Sequence, residues 1–178
     1  MRYRSCKLNN GFTLIEVIVG IVALSISLSI VTSLLLPSAE QSAQQIHQIR
    51  AAELGQSLMN EITAKAFDEH SDMAGGKERC GEFGSPNCST TLGREGAEVS
   101  SLASEYNDVD DYHNVVQAKL ALDSVYIGFT VDITVCNDGN YNGRCEILDD
   151  IKIAKLITIT ITDTSGNPIT FATYKANY

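Results

Sequence analysis

The stretch FTLIEVIVGIVALSISLSIVTSLLL, Phe12 to Leu36, decides the fold, and within it Glu16 is the only charged residue. As an α-helix its roughly 25 residues reach about 37 Å, more than the hydrocarbon core of about 30 Å. It reads as a membrane span. The preceding MRYRSCKLNNG carries Arg2, Arg4 and Lys7 and no acid. A basic flank stays on the cytoplasmic side, so the chain beyond Leu36 is expected to cross. An ordinary secretory signal has an apolar run of about 7–15 residues ending in a small-residue A-x-A site, which this run exceeds and lacks. A plain anchor leaves Glu16 unexplained, because a carboxylate inside the span costs about 2.5–3.5 kcal/mol on insertion scales. The charge calls for a partner.

Gly11-Phe12-Thr13-Leu14-Ile15-Glu16, placed after a short basic leader and before the apolar run, resembles the type III signal motif of type IV pilins and type II secretion pseudopilins. The resemblance implies that a prepilin peptidase cuts between Gly11 and Phe12 and that Phe12 is then N-methylated. It implies as partners that peptidase, other pilin subunits of a filament and an inner-membrane assembly platform. The precursor would sit in the inner membrane as a single-pass protein with a periplasmic head, and the mature chain in a cell-surface pilus. Residues 1–11 are then the cleaved leader, 12–36 the transmembrane and filament-core helix, 37–67 its amphipathic continuation and 68–178 the globular head.

Cleavage before Phe12 places a new amine four residues from Glu16, one helical turn away on the same face. A subunit can satisfy this pair by itself. Among packed apolar helices the amine of one subunit can instead meet Glu16 of the next, in a dry interior that penalises an unpaired charge. Glu16 is therefore the assembly residue. Gly20, Ser25, Ser27 and Ser29 are small enough to let membrane helices approach closely.

Loss of the leader also removes Cys6, leaving Cys80, Cys88, Cys136 and Cys145 outside the cytoplasm, where disulfides persist. Four cysteines allow three pairings. Local pairing, Cys80 with Cys88 and Cys136 with Cys145, is the simplest and is worth about 2–3 kcal/mol per bridge if unstrained. Zinc is a rival use of the thiols, but the chain has neither C-x-x-C spacing nor a histidine close to them.

Pro37 is expected to interrupt or bend the helix without ending it. From Ser38 to about Phe67 the chain is rich in Ala, Gln, Glu and Leu, with Leu54, Leu58 and Ile62 on one face, which predicts a half-buried helix. Residues 68 to about 114, punctuated by Gly75-Gly76, Gly81, Gly84, Pro86, Gly93 and Gly96, read as a long loop region. Asp108-Val109-Asp110-Asp111-Tyr112-His113 resembles a segment of minor pilins of the mannose-sensitive haemagglutinin class. Its acids are expected at the surface, for subunit contact, for cation binding or as a solvated turn.

The C-terminal third alternates with a period of two. Val125, Ile127, Phe129, Val131, Ile133 and Val135 predict a strand over Val125–Cys136, and Ile157, Ile159 and Ile161 a second over Ile151–Thr162. Asp163 to Asn167 then turns into a third, Ile169–Tyr174. The fold expected is α+β and pilin-like: a long N-terminal helix, membrane-spanning in its first half, packed on a C-terminal antiparallel β-sheet.

Between the first two strands, Asp138, Asn140, Asn142, Glu146 and Asp149 stand at positions one, three, five, nine and twelve of a calcium-loop spacing. Gly143 stands at six, and the Arg144 carbonyl would fill seven. Calcium is thus a candidate ligand. Asp in place of a final Glu, a cysteine at position eight and flanking strands all favour a plain Asn/Gly-rich hairpin loop instead. No other cofactor is required.

The chain of 178 residues is 44% hydrophobic and carries a formal charge of -9, which disfavours nucleic acid as a partner. His47, His70 and His113 lie in separate segments, and there is no nucleophile elbow, P-loop or dinucleotide fingerprint. No catalytic residue is expected. Three roles fit: a minor pilin in assembly and adhesion, a minor pseudopilin of a type II secretion system, or a membrane-tethered calcium-dependent binding module.

Overall fold

The computed structural model describes residues 11–73, 76–96, 98, 102–120 and 122–178, with the side chains of 35–43 left aside. The basic leader with Cys6, and Gly75 in the loop region, lie outside the described residues. The chain divides into two units, Met1–Gln44 and Gln45–Tyr178. Helix α1, Leu14–Thr63, contributes to both and continues through Pro37. Thr13 starts it: its Oγ1 accepts the Glu16 amide at 3.3 Å, satisfying one of the orphan donors of the first turn. In the first unit Leu14–Leu34 is apolar and none of it is buried.

The second unit is α+β. Strands β1 (Thr130–Asn137), β2 (Ala154–Thr162) and β3 (Pro168–Ala176) form an antiparallel meander in that order. Register pairs Val131 with Ile161, Ile133 with Ile159 and Val135 with Ile157, so the branched side chains share one face. On β3, Ile169 and Phe171 extend that face opposite Ile161 and Ile159. Against it pack Ala51, Leu54, Leu58 and Ile62 from α1, joined by Tyr106, Val109, Tyr112 and Val115 from the region between. The reverse face carries threonines, with the hydroxyls of Thr160 and Thr170 3.2 Å apart. One face is core and the other meets water, the pattern expected of an antiparallel sheet covered on one side.

The free edge of β1 is covered by the preceding segment. The Asn114 amide donates to the Ile133 carbonyl at 3.0 Å, the Val135 amide to His113 Nδ1 at 3.2 Å and the Val131 amide to Gln117 Oε1 at 3.2 Å. This uses backbone groups that would otherwise template pairing with another chain.

Three boundaries differ from the sequence expectation by more than the one or two residues seen at the ends of β1 and β3. The first strand begins at Thr130, and Val125 lies in a 3-10 turn, Ser124–Tyr126, whose start is capped by the Asp123 carboxylate. Gly128, at φ 88°, redirects the chain so that Val125 and Ile127 are exposed while Phe129 is buried. The second strand begins at Ala154, leaving Ile151 to pack on Phe67 and the Cys80 and Cys88 side chains. The helix ends at Thr63 because the chain there turns to bridge Ala66 with Asp108. Residues 68–114 form no strand among the described residues and contain short 3-10 turns, Ala103–Glu105 and Asp110–Tyr112.

Gly55 lets α1 accept the Phe171 ring of β3, since a Cβ there would collide with that ring. Gly55→Val should therefore cost about 1–3 kcal/mol through overpacking, outweighing the gain from replacing a mid-helix glycine. Thermal unfolding of the detergent-solubilised full-length protein checks this. An unchanged or raised midpoint would contradict the packing.

Candidate functional site

The motif residues occupy the start of α1. Gly11, Phe12 and Thr13 precede the first helical turn, and Phe12 is 82% exposed. Glu16 lies in the first turn and is exposed, as is the whole apolar surface from Leu14 to Leu34. Nothing lies within 4 Å of the position a Cβ would take on Gly20. Ser25 and Ser27 each return their hydroxyl to the carbonyl four residues back, at 2.8 Å. These hydroxyls are thus satisfied within the helix, which suits a lipid or subunit environment. Gly11 and Phe12 are both exposed.

In the head, cysteines join locally: Cys80 to Cys88 and Cys136 to Cys145. The first bridge is buried beneath Phe67 and Ile151, and the second closes the connection between β1 and β2. That connection also contains the calcium-spaced residues. Asp138 is buried: its Oδ1 accepts the Asn142 amide at 3.1 Å, and its Oδ2 accepts the Gly143 amide at 2.8 Å and the Tyr174 hydroxyl at 2.7 Å. These donors, opposed by burial, hold its carboxyl below the usual range. Asn140 Oδ1 accepts the Asn142 amide, Asn142 Oδ1 accepts the Arg144 amide, and Asp149 accepts from Asn140 Nδ2 and the Glu146 amide. Asn142 Nδ2 reaches Glu146 Oε1 at 3.3 Å. Asp138, Asn140, Asn142, Glu146 and Asp149 each take part in hydrogen bonds within the loop or to Tyr174.

The segment Asp108 to His113 corrects the sequence expectation. Asp108, Asp110, Asp111 and Tyr112 are all buried, so these acids form neither an exposed contact surface nor a solvated turn. Asp110 has a partner 45 residues away: Lys155 Nζ donates to its Oδ1 at 2.8 Å and lies 3.6 Å from Asp68 Oδ2. Lys155 also sits over the Phe67 ring, 4.8 Å from its centroid. The placement is the strand period continued, because Lys155 precedes Ile157, Ile159 and Ile161 on the inward face of β2. Lys175, its register partner on β3, donates to the Thr63 carbonyl at 2.9 Å and so satisfies an orphan acceptor at the end of α1. Burial holds the Lys175 amine below its usual range. The Tyr112 hydroxyl donates to Glu61 Oε1 at 2.8 Å, tying the same segment to the helix.

One lysine does not balance the acids gathered here. Glu69, Glu95 and Asp108 bring carboxylate oxygens within 4.8 Å of one another, as do Glu95, Glu98 and Asp111. Burial first, then Asp110, pushes Asp108 up to about 9, and burial followed by Asp111 pushes Glu98 up to about 7. Burial raises Glu95 and Asp111 too. No sequence pattern singles out Glu69, Glu95 and Glu98: the last two are three residues apart, but Glu69 and Asp108 to Asp111 are remote from them in a stretch without period.

Lys155→Met should destabilise the head by about 3–5 kcal/mol, since it leaves Asp110 and Asp68 buried without their cation. Thermal unfolding of the full-length protein in detergent checks this, and a midpoint lowered by less than about 2 °C would contradict it.

Comparison with curated proteins and with solved structures returned no match. Residues 6–32 match the family model of the prokaryotic N-terminal methylation motif, and this match, at the head of an apolar helix followed by an α+β unit, supports a type IV pilin-like family with a structural role.

Proposed function

We propose that the protein is a minor pilin of a mannose-sensitive haemagglutinin type IV pilus, similar to the D subunit of that system, acting in pilus assembly and surface adhesion. The observation that carries the pilin reading is the methylation motif leading into Leu14–Leu34, a helix with no buried residue. An apolar cylinder of about 30 Å is too large an exposed surface for a protein in water. Lipid covers it before assembly, and the corresponding helices of other pilins cover it afterwards. The haemagglutinin class is favoured by the likeness of Asp108–His113 to a segment of its minor pilins.

In this reading the prepilin peptidase cleaves after Gly11, the head lies on the periplasmic side, and an inner-membrane platform passes the mature subunit into the filament. The Phe12 amine then meets the Glu16 carboxylate of a neighbour. A minor pseudopilin of a type II secretion system would use the same helix and motif. Deletion of the gene separates the two: a minor pilin's loss reduces surface filaments and adhesion with exoprotein release intact, whereas failed release with normal filaments would assign the secretion system.

Two substitutions test the assembly chemistry. Gly11→Arg should block cleavage, and a mature chain beginning at Phe12 in that variant would contradict the peptidase assignment. Glu16→Ala should leave membrane insertion and processing largely intact while reducing filament incorporation, measured by immunoblot of sheared filaments. Normal incorporation would overturn the role of the buried pair.

A further inference from the structure

Among the described residues, Lys155 pairs with Asp68 and Asp110, and no salt bridge reaches Glu69, Glu95, Glu98, Asp108 or Asp111. The nearby Arg94 spends one guanidinium nitrogen on the Asp111 backbone carbonyl, at 3.1 Å, and lies over the Tyr106 ring. The acids are not satisfied by hydrogen bonds either. Asp111 Oδ2 accepts the amides of Asn107 and Asp108, but Asp111 Oδ1 has no partner although the residue is fully buried. Asp108 Oδ1 accepts the amides of Asp110 and Asp111, while its Oδ2 has none at 1% exposure. Glu95 Oε2 is likewise shielded from solvent and unpartnered. Buried oxygens without donors each carry the desolvation penalty of the group, and a carboxylate bears more than a neutral one.

What these oxygens lack is positive charge, and their spacing suits a particular kind. Two oxygens that each lie about 2.4 Å from one ion are at most about 4.8 Å apart, the calcium–oxygen geometry. Glu95, Glu98 and Asp111 meet that limit among themselves, and Glu95 is shared with Glu69 and Asp108. An all-carboxylate set is hard, and three such groups supply up to six oxygens for a cation that takes six to eight. Magnesium demands a tighter octahedron and sheds its waters reluctantly.

We propose that the head binds a calcium ion through Glu95, Glu98 and Asp111, with the carboxyl groups of Asp108 and Glu69 beside it. The hairpin loop Asp138–Asp149 is the weaker candidate: both oxygens of Asp138 already accept hydrogen bonds, from the Asn142 and Gly143 amides and Tyr174. The ion would join the segment around residues 95–98 to the 3-10 turn Asp110–Tyr112, which packs on α1 and faces β1. It would thereby cross-link the one part of the head that has no sheet or long helix of its own.

The test is calcium titrated by calorimetry into EDTA-stripped full-length protein in detergent, with thermal unfolding in EDTA and in calcium. Wild type should bind calcium with a raised unfolding midpoint, and Asp149→Asn should keep that affinity. Glu95→Gln and Glu98→Gln should each weaken binding at least about tenfold. In EDTA both variants should unfold no lower than wild type, because each removes an uncompensated charge, whereas a merely structural carboxylate would lower the midpoint when lost. No binding by wild type, wild-type affinity in both glutamine variants, a lowered midpoint in EDTA, or affinity lost in Asp149→Asn and kept in Glu95→Gln would overturn the proposal.

Discussion

An apolar helix surface with nothing packed on it is the constraint from which the rest follows. Leu14–Leu34 has no buried residue, yet the residues exposed there are Leu, Ile and Val at nearly every turn. Water is the wrong solvent for that surface. Lipid and the helices of neighbouring subunits are the two environments that accept it, and the short polar cap at Thr13 together with the returned serine hydroxyls prepares the backbone for either. Within this span Glu16 is the exception, and in the proposed reading cleavage before Phe12, four residues earlier, would give it a terminal amine as partner.

The head solves a different problem, how to hold a long irregular region against a small three-stranded sheet. The apolar face of β1–β3 takes the Ala51–Ile62 face of α1 over most of its length. Toward the end of that helix the inward positions of β2 change from isoleucine to Lys155, and β3 places Lys175 opposite it. Lys175 ends the helix on the Thr63 carbonyl, and Lys155 draws Asp110 and Asp68 inward. The irregular region is thus anchored by charge at one point and stapled within itself at another by the Cys80–Cys88 bridge, which packs on Phe67 and Ile151. Its remaining carboxylates are left facing one another, which is the source of the cation proposal.

The helix and the sheet were legible because periods of 3.6 and two need no distant information. Leu54, Leu58 and Ile62 are buried on one face, and Ile157, Ile159 and Ile161 on another, as their spacing indicates. The first strand was read too long because Val125 and Ile127 keep the period while Gly128, through its positive φ, breaks the path. Asp108–His113 was read as surface because three acids in four residues are ordinarily solvated, and the lysine that pairs with one of them, Asp110, is remote in sequence. The same β2 alternation that marked the isoleucines passes through Lys155, so that partner was visible as an inward position. The convergence of Glu69, Asp108 and Asp111 on Glu95 and Glu98 was not visible, since no local pattern connects these segments.

Mass spectrometry of filaments sheared from the cell surface tests the central claim most directly. The account predicts that this chain is present in them at low abundance and begins at N-methylated Phe12. Plentiful filaments without it, or a chain that retains residues 1–11, would contradict it.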